Sequence, residues 1–213
     1  MPRLRVGRSY WLDTWRGRAQ RFPTLRHDRD ADVAIVGGGI TGCSAALLFA
    51  QAGASVVLVD AHRVGRGSTA ASTALLMQEP DADFRDLARR YGTSATRRIW
   101  ERSRAAVGDF ARFLRDAGAP AVHRLPSIYF AAADRAVEGL RTEFRARRRA
   151  RLPARWLDAD EFHARTGFDA PGAILTEGNA EVDPYRACAA LARAAARQGA
   201  ALHETSPGSP HRA

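Results

Sequence analysis

The stretch that most constrains this chain is Gly37-Gly38-Gly39-Ile40-Thr41-Gly42, which satisfies the pattern G-x-G-x-x-G. Alone, the pattern is weak. Its flanks give it meaning. Asp32-Val33-Ala34-Ile35-Val36 before it is a short, nearly continuous apolar run, as expected of a buried parallel strand. After it, Ile40, Cys43, Leu47 and Ala50 fall on one helical face, Gly53 stops the helix, and Ser55-Val56-Val57-Leu58-Val59-Asp60 reads as a second buried strand. Strand, glycine loop, helix and acid-ended strand make up the unit that holds the diphosphate of a dinucleotide. In such a unit Gly37 permits the tight turn, Gly39 lets a pyrophosphate approach the backbone, and Gly42 lets the helix lie close on the strand. The start of the helix, at Ile40 and Thr41, offers unpaired N–H groups and partial positive charge to the phosphates. Asp60, about 20 residues beyond the loop and followed by Ala61, is placed to accept hydrogen bonds from a ribose. A carboxylate there repels a 2′-phosphate, which favours NAD or FAD over NADP, although Arg63 nearby complicates the inference.

The segment Gly65-Arg66-Gly67-Ser68-Thr69-Ala70-Ala71-Ser72-Thr73 separates FAD from NAD. Two glycines and four hydroxyl residues cluster there, so Arg66, Gly67, Ser68, Thr69 and Ser72 offer backbone and side-chain donors to a second stretch of phosphate and a ribityl chain. Read as structure only, Ser68 or Thr69 is the N-cap of a helix entered near Ala70. Both readings use the same orphan donors.

The formal charge of +10 comes entirely from arginine, since the chain holds no lysine. That points to a coding bias rather than to a polyanion surface, and no nucleic-acid recognition motif accompanies it. Cys43 and Cys188 lack metal-ligand or CxxC spacing, so no metal site is expected and a reduced, cytoplasmic setting fits. The N-terminal residues carry no apolar stretch of the secretory kind, and the longest apolar run, Ala45–Ala50, is far short of a membrane span.

Elsewhere the pattern is α/β. Residues 1–30 read as an arm with aromatic anchors Tyr10, Trp11 and Trp15. Residues 83–117 read as one or two helices with apolar positions at Ile99, Val107, Phe110 and Leu114. Strands are expected at 121–124, 127–132, 155–157, 173–176 and 200–204, an Arg-rich helix at 134–150, and a helix from Asp183-Pro184 to about Gln198. Arg145, Arg147, Arg148, Arg149 and Arg151 are expected on a solvated face, Cys43 in the core, and His123 at the surface. Glu177 and Asp183 have no visible acid/base partner.

With these motifs in place, the chain resembles the D-amino-acid oxidase superfamily of FAD-dependent oxidoreductases, its glycine and sarcosine oxidase branches in particular. The likeness rests on Asp32 to Gly42, Asp60 and Gly67 to Ser72. It is extended by Ser9-Tyr10-Trp11-Leu12-Asp13, Pro126 to Ala131 and Val182 to Arg186. It implies a Rossmann-like FAD domain over 31–82 and 180–206, an inserted α+β substrate-domain portion over 83–179, and a frayed tail at 207–213. It also implies FAD-dependent oxidation of the C–N bond of a small-molecule amine or amino acid. No catalytic residue follows from it. Family members are considerably longer, and the lysine that sarcosine-type oxidases use near the flavin has no counterpart. The position often held by Asn is Ser72. The expectation is therefore an incomplete, C-terminally truncated FAD fold with impaired catalysis, or a second chain that supplies the other half. A NAD-dependent Rossmann enzyme and a non-catalytic nucleotide-binding remnant are the alternatives.

Overall fold

The structure is a computed structural model that describes residue 7 and residues 9–17 and 20–207. The expected tail beyond residue 207 and the first part of the arm lie outside the described residues. The chain divides into two compact units, residues 1–74, 112–121 and 182–213 in one, and 75–111 and 122–181 in the other.

The first unit is a parallel sheet with helices. β1 (Val33–Val36) pairs with β2 (Val56–Val59), and β2 with β7 (Ala201–His203), in the order β1-β2-β7. α2 (Ile40–Gln51) links β1 to β2, and α7 (Pro184–Arg197) leads into β7 and packs on α2. The close packing follows from small side chains: Cys43 and Ala46 on α2, and Ala187, Cys188 and Ala190 on α7, are fully buried. Asp183 caps α7 by accepting the Arg186 N–H at 2.9 Å, with Pro184 at the first helical position. Gly53, at φ +86°, ends the α2 turn as expected. α1 (Tyr10–Thr14) is a short helix in the arm.

Burial of β1 on both faces, expected from its apolar run, does not hold. Val33 and Ile35 point with Val56, Leu58 and Leu202 toward the helices, whereas Ala34 and Val36 alternate to the other face. β1 is the edge of this sheet, and Val36 is 78% exposed. The helix expected near Ala70 is a single 3-10 turn, Ser68–Ala71.

The second unit is an antiparallel sheet. β6 (Ala173–Glu181) pairs with β3 (Leu75–Leu76), β4 (His123–Phe130) and β5 (Arg155–Leu157). The two strands expected around Pro126 are one strand with a register shift between Leu125 and Ser127, opposite Gly178 at φ +98°. α3 (Phe84–Tyr91), α5 (Asp134–Arg149) and α6 (Ala159–Thr166) belong to this unit, and α4 (Thr93–Asp116) runs from it into the first. One apolar position of these helices lies outward, and one expectation changes. Ile99 is 40% exposed and its neighbour Trp100 packs with Phe84, Ala150 and Leu152. Arg147 is not on a solvated face: it is buried, and its Nε donates to Glu143 Oε1 at 2.7 Å. The same carboxylate accepts the Phe84 and Arg85 N–H groups at 2.8 and 3.1 Å, so it also caps α3.

Candidate dinucleotide site

The site grows from the end of β1. Gly37 turns the chain at φ +107°, a conformation that side-chain-bearing residues avoid, while its N–H still donates to Val59 O at 2.8 Å. Gly42 answers a different need. A Cβ there would lie 2.0 Å from Gly37 O, so only glycine lets the first turn of α2 sit against the bend. Gly39 is the N-cap, in extended conformation, and a Cβ on it would meet Thr69 Oγ1 at 3.2 Å.

The α2 N-terminus is where an anion would be received. Its first intrahelical bond is Cys43 N–H to Gly39 O at 2.9 Å, which leaves the N–H groups of Ile40, Thr41 and Gly42 without helical acceptors. The Ile40 N–H is taken by the hydroxyl of buried Thr69 at 3.0 Å. Thr69 thus caps α2 rather than its own turn, and leaves Thr41 and Gly42 at the open end.

Asp60 sits at the end of β2. Its Oδ2 accepts the Gly38 N–H at 2.6 Å and its Oδ1 the His62 N–H at 2.7 Å. Each oxygen keeps a second lone pair for a ribose hydroxyl. Gly38, unspecified in the motif, sits tightly at this contact: a Cβ would come within 3.1 Å of Val64 Cγ2 and 3.2 Å of Asp60 Oδ2, so these side chains would have to give way by a few tenths of an ångström. Ala61, Arg66, Gly67, Ser68 and Ser72 are exposed on the two loops that follow β2. Ser72 Oγ accepts the Ala74 N–H at 3.1 Å, holding Ala74 at φ +71°.

One buried group went unseen in the sequence. Glu204, 5% exposed after β7, accepts the Val64 N–H at 3.0 Å and the Phe22 N–H at 3.3 Å, tying the loop after β2 to the arm. No spacing announces a partner so far along the chain. Cys43 and Cys188 are free thiols 3.7 Å apart, both buried and both directed at Gly38 O. The neighbouring thiol and burial push the Cys43 thiol up, away from the reactive thiolate. His123 is exposed on β4. Among the described residues no His/Cys/Asp/Glu group is arranged for a metal ion, and no helix is long and apolar enough to cross a membrane.

A glycine bend that a Cβ would fill, open helix N–H groups and a carboxylate at the next strand end suit a dinucleotide diphosphate and its ribose. Residues 32–208 match the family described as FAD dependent oxidoreductase. The chain belongs to that family. Among relatives of this FAD-dependent oxidoreductase chain, gamma-glutamylputrescine oxidoreductase of Escherichia coli is 36% identical over 78 residues, 37% of this chain and 18% of the relative. Glycine oxidase of Bacillus licheniformis is 27% identical over 186 residues, 83% of this chain and 46% of the relative. The fold is similar to that of L-alpha-glycerophosphate oxidase from Mycoplasma pneumoniae with FAD bound. There the TM-score is 0.65 at 19% identity, over 84% of this chain and 45% of that one. The chain thus spans less than half the length of these relatives.

Proposed function

We propose that this chain binds FAD and serves the oxidation of the C–N bond of an amine or amino acid. The observation that carries the reading is the approach at Gly42: with 2.0 Å from a would-be Cβ to Gly37 O, the loop is built as a bare-backbone bend at a helix N-terminus. Gly37, Gly39, Thr41 and Gly42 receive the diphosphate at the helix start that Ile40 and Thr69 fix, Asp60 and Ala61 the ribose, and Arg66, Gly67, Ser68 and Ser72 the ribityl side. Bound there, FAD supplies a two-electron acceptor for the C–N bond. The protein's part at this site is to bind and orient. Thr69 fixes the start of α2, and Glu204 fixes the loop after β2. The substrate class is carried over from glycine oxidase and gamma-glutamylputrescine oxidoreductase, the relatives' own names.

Thermal unfolding with FAD or NAD tests the cofactor. A ligand that binds only the native state at 100 times its Kd adds about 2.7 kcal/mol, so FAD raises Tm by several degrees and NAD does not. Stabilisation by NAD alone, or by neither, overturns the proposal. Turnover of an amine panel with an artificial electron acceptor tests the reaction. The 78% exposure of Val36 at the sheet edge favours a second reading, in which a further polypeptide segment covers β1 and catalysis needs both pieces. In that case the amine panel is silent for this chain alone, while FAD binding persists.

A further inference from the structure

We infer that α1 is a clasp that positions the second cofactor loop, with Trp11 delivering the Thr73 N–H as a ligand donor; the inference rests on the FAD reading above. Two side-chain donors reach from the arm to this loop: Ser9 Oγ donates to Ala70 O, and Trp11 Nε1 donates to Ser72 O at 2.9 Å. The clasp is itself anchored. The Leu12 and Asp13 N–H groups close on Ser9 O at 3.1 and 3.0 Å, Trp15 meets Tyr185 edge-on at 5.9 Å, and Arg186 lies over the Trp15 ring at 5.6 Å.

The consequence follows from peptide geometry. In a trans peptide the C=O and the next N–H point to opposite sides of one rigid plane. Holding Ser72 O toward Trp11 therefore turns the Thr73 N–H away from the arm, and no acceptor among the described residues takes that N–H. The carbonyl would repel an anion or compete for its donors; tied to the indole, it is out of the way. The loop needs such external support because it has little of its own. It contains one 3-10 turn, it is mostly exposed, and it ends in Ala74 at positive φ.

The test is FAD titration of the full-length chain, with the Tm of the FAD-free protein measured beside it. Trp11→Phe keeps the ring and removes the donor, so Kd for FAD rises about fivefold, the worth of one hydrogen bond. Trp11→His returns a ring N–H and recovers part of the loss. Ser9→Ala, at the other end of the clasp, weakens binding in the same direction, and it serves if Trp11→Phe fails to fold. The Tm of the FAD-free variants stays near that of the wild type, because the contact orders a surface loop rather than the core. Unchanged Kd in Trp11→Phe and Ser9→Ala overturns the inference. So does a lower Tm at constant Kd, which assigns the clasp a purely structural role, and so does Trp11→His binding as weakly as Trp11→Phe. Failure of the wild type to take up FAD is read before any variant is made and removes the underlying reading with it.

Discussion

Gly42→Ala is the sharpest perturbation of the dinucleotide unit, because one methyl group meets backbone rather than a flexible side chain. The added Cβ would stand 2.0 Å from Gly37 O and 3.3 Å from Ile35 Cγ2. Contacts under 3.0 Å are essentially never seen for a real Cβ, so helix and bend must part by about 1 Å, and overpacking of this kind costs about 1–3 kcal/mol. Alanine favours helix over glycine by only about 1 kcal/mol, so the clash wins or breaks even. For a chain of this length the net loss of about 0–2 kcal/mol corresponds to a Tm lower by up to about 8 °C. The displaced turn carries the Thr41 and Gly42 N–H groups, so FAD affinity falls as well, by at least about tenfold if one charge-assisted hydrogen bond is lost. Differential scanning fluorimetry and flavin fluorescence titration read the two effects. Gly139→Ala is the control, since it is also a helical glycine, in α5 outside the dinucleotide unit, and nothing stands within 4 Å of its Cβ position. Gly42→Ala that matches Gly139→Ala in both Tm and Kd refutes the steric argument.

Other outcomes follow from buried polar groups. Glu204→Ala strips acceptors from the Val64 and Phe22 N–H groups and is expected to cost about 2–3 kcal/mol in urea unfolding; a loss below half a kcal/mol would show that water replaces the carboxylate. Glu143→Ala leaves the Arg147 charge buried and two α3 N–H groups unmet, at about 3–5 kcal/mol. Arg145→Ala breaks only an exposed pair with Glu138 and stays within about 0.5 kcal/mol, so equal effects of the two would remove the distinction. Asp83, raised by burial and then by Glu143, holds its proton more tightly folded than unfolded. The stability this group adds is therefore full below its unfolded value of 3.8 and is lost as pH rises through the raised folded value. Asp83→Asn flattens that part of the pH–stability curve, and a curve that keeps its slope contradicts the assignment. Cys43 and Cys188, both 0% exposed, react with a thiol reagent only after denaturation; fast labelling of the native protein contradicts their burial.

What the sequence revealed and what it hid follow from the range of the forces involved. The unit from β1 to β2 and the start of α7 were legible because each signal is local: a glycine at the Gly37 bend, a helix stop at Gly53, and Pro184 behind the Asp183 cap. α6 carried an equally local signal, Asp158 accepting the Glu161 N–H at 2.9 Å and Gly167 in the left-handed region, and it was missed because the segment is short. Arg147 could not be read from its neighbours. In a run of arginines, only the tertiary position of Glu143 and the Trp100 ring, 5.2 Å from its guanidinium, decides which one is buried. Val36 failed in the opposite sense. An apolar strand shows that a cover suits it, but not whether one stands beside it.

The same distinction bears on how the glycine loop works. The motif supplies a bend with exposed N–H groups, but side chains from elsewhere in the chain hold its helix start and the loops beside it. Thr69 reaches Ile40 across 29 residues, Glu204 reaches Val64 across 140, and Trp11 reaches Ser72 across 61. A backbone free of side chains has nothing of its own to hold it, and the freedom that admits a diphosphate would also let the loop collapse or wander. The supports are therefore placed on groups a phosphate cannot use or does not need: two carbonyls of the second loop, one helix N–H and one loop N–H. That division predicts the variants should differ in kind. Removing a glycine blocks the site, whereas removing a support leaves the site open but less often in the binding conformation, so affinity falls while the flavin spectrum of the fully bound protein stays that of the wild type.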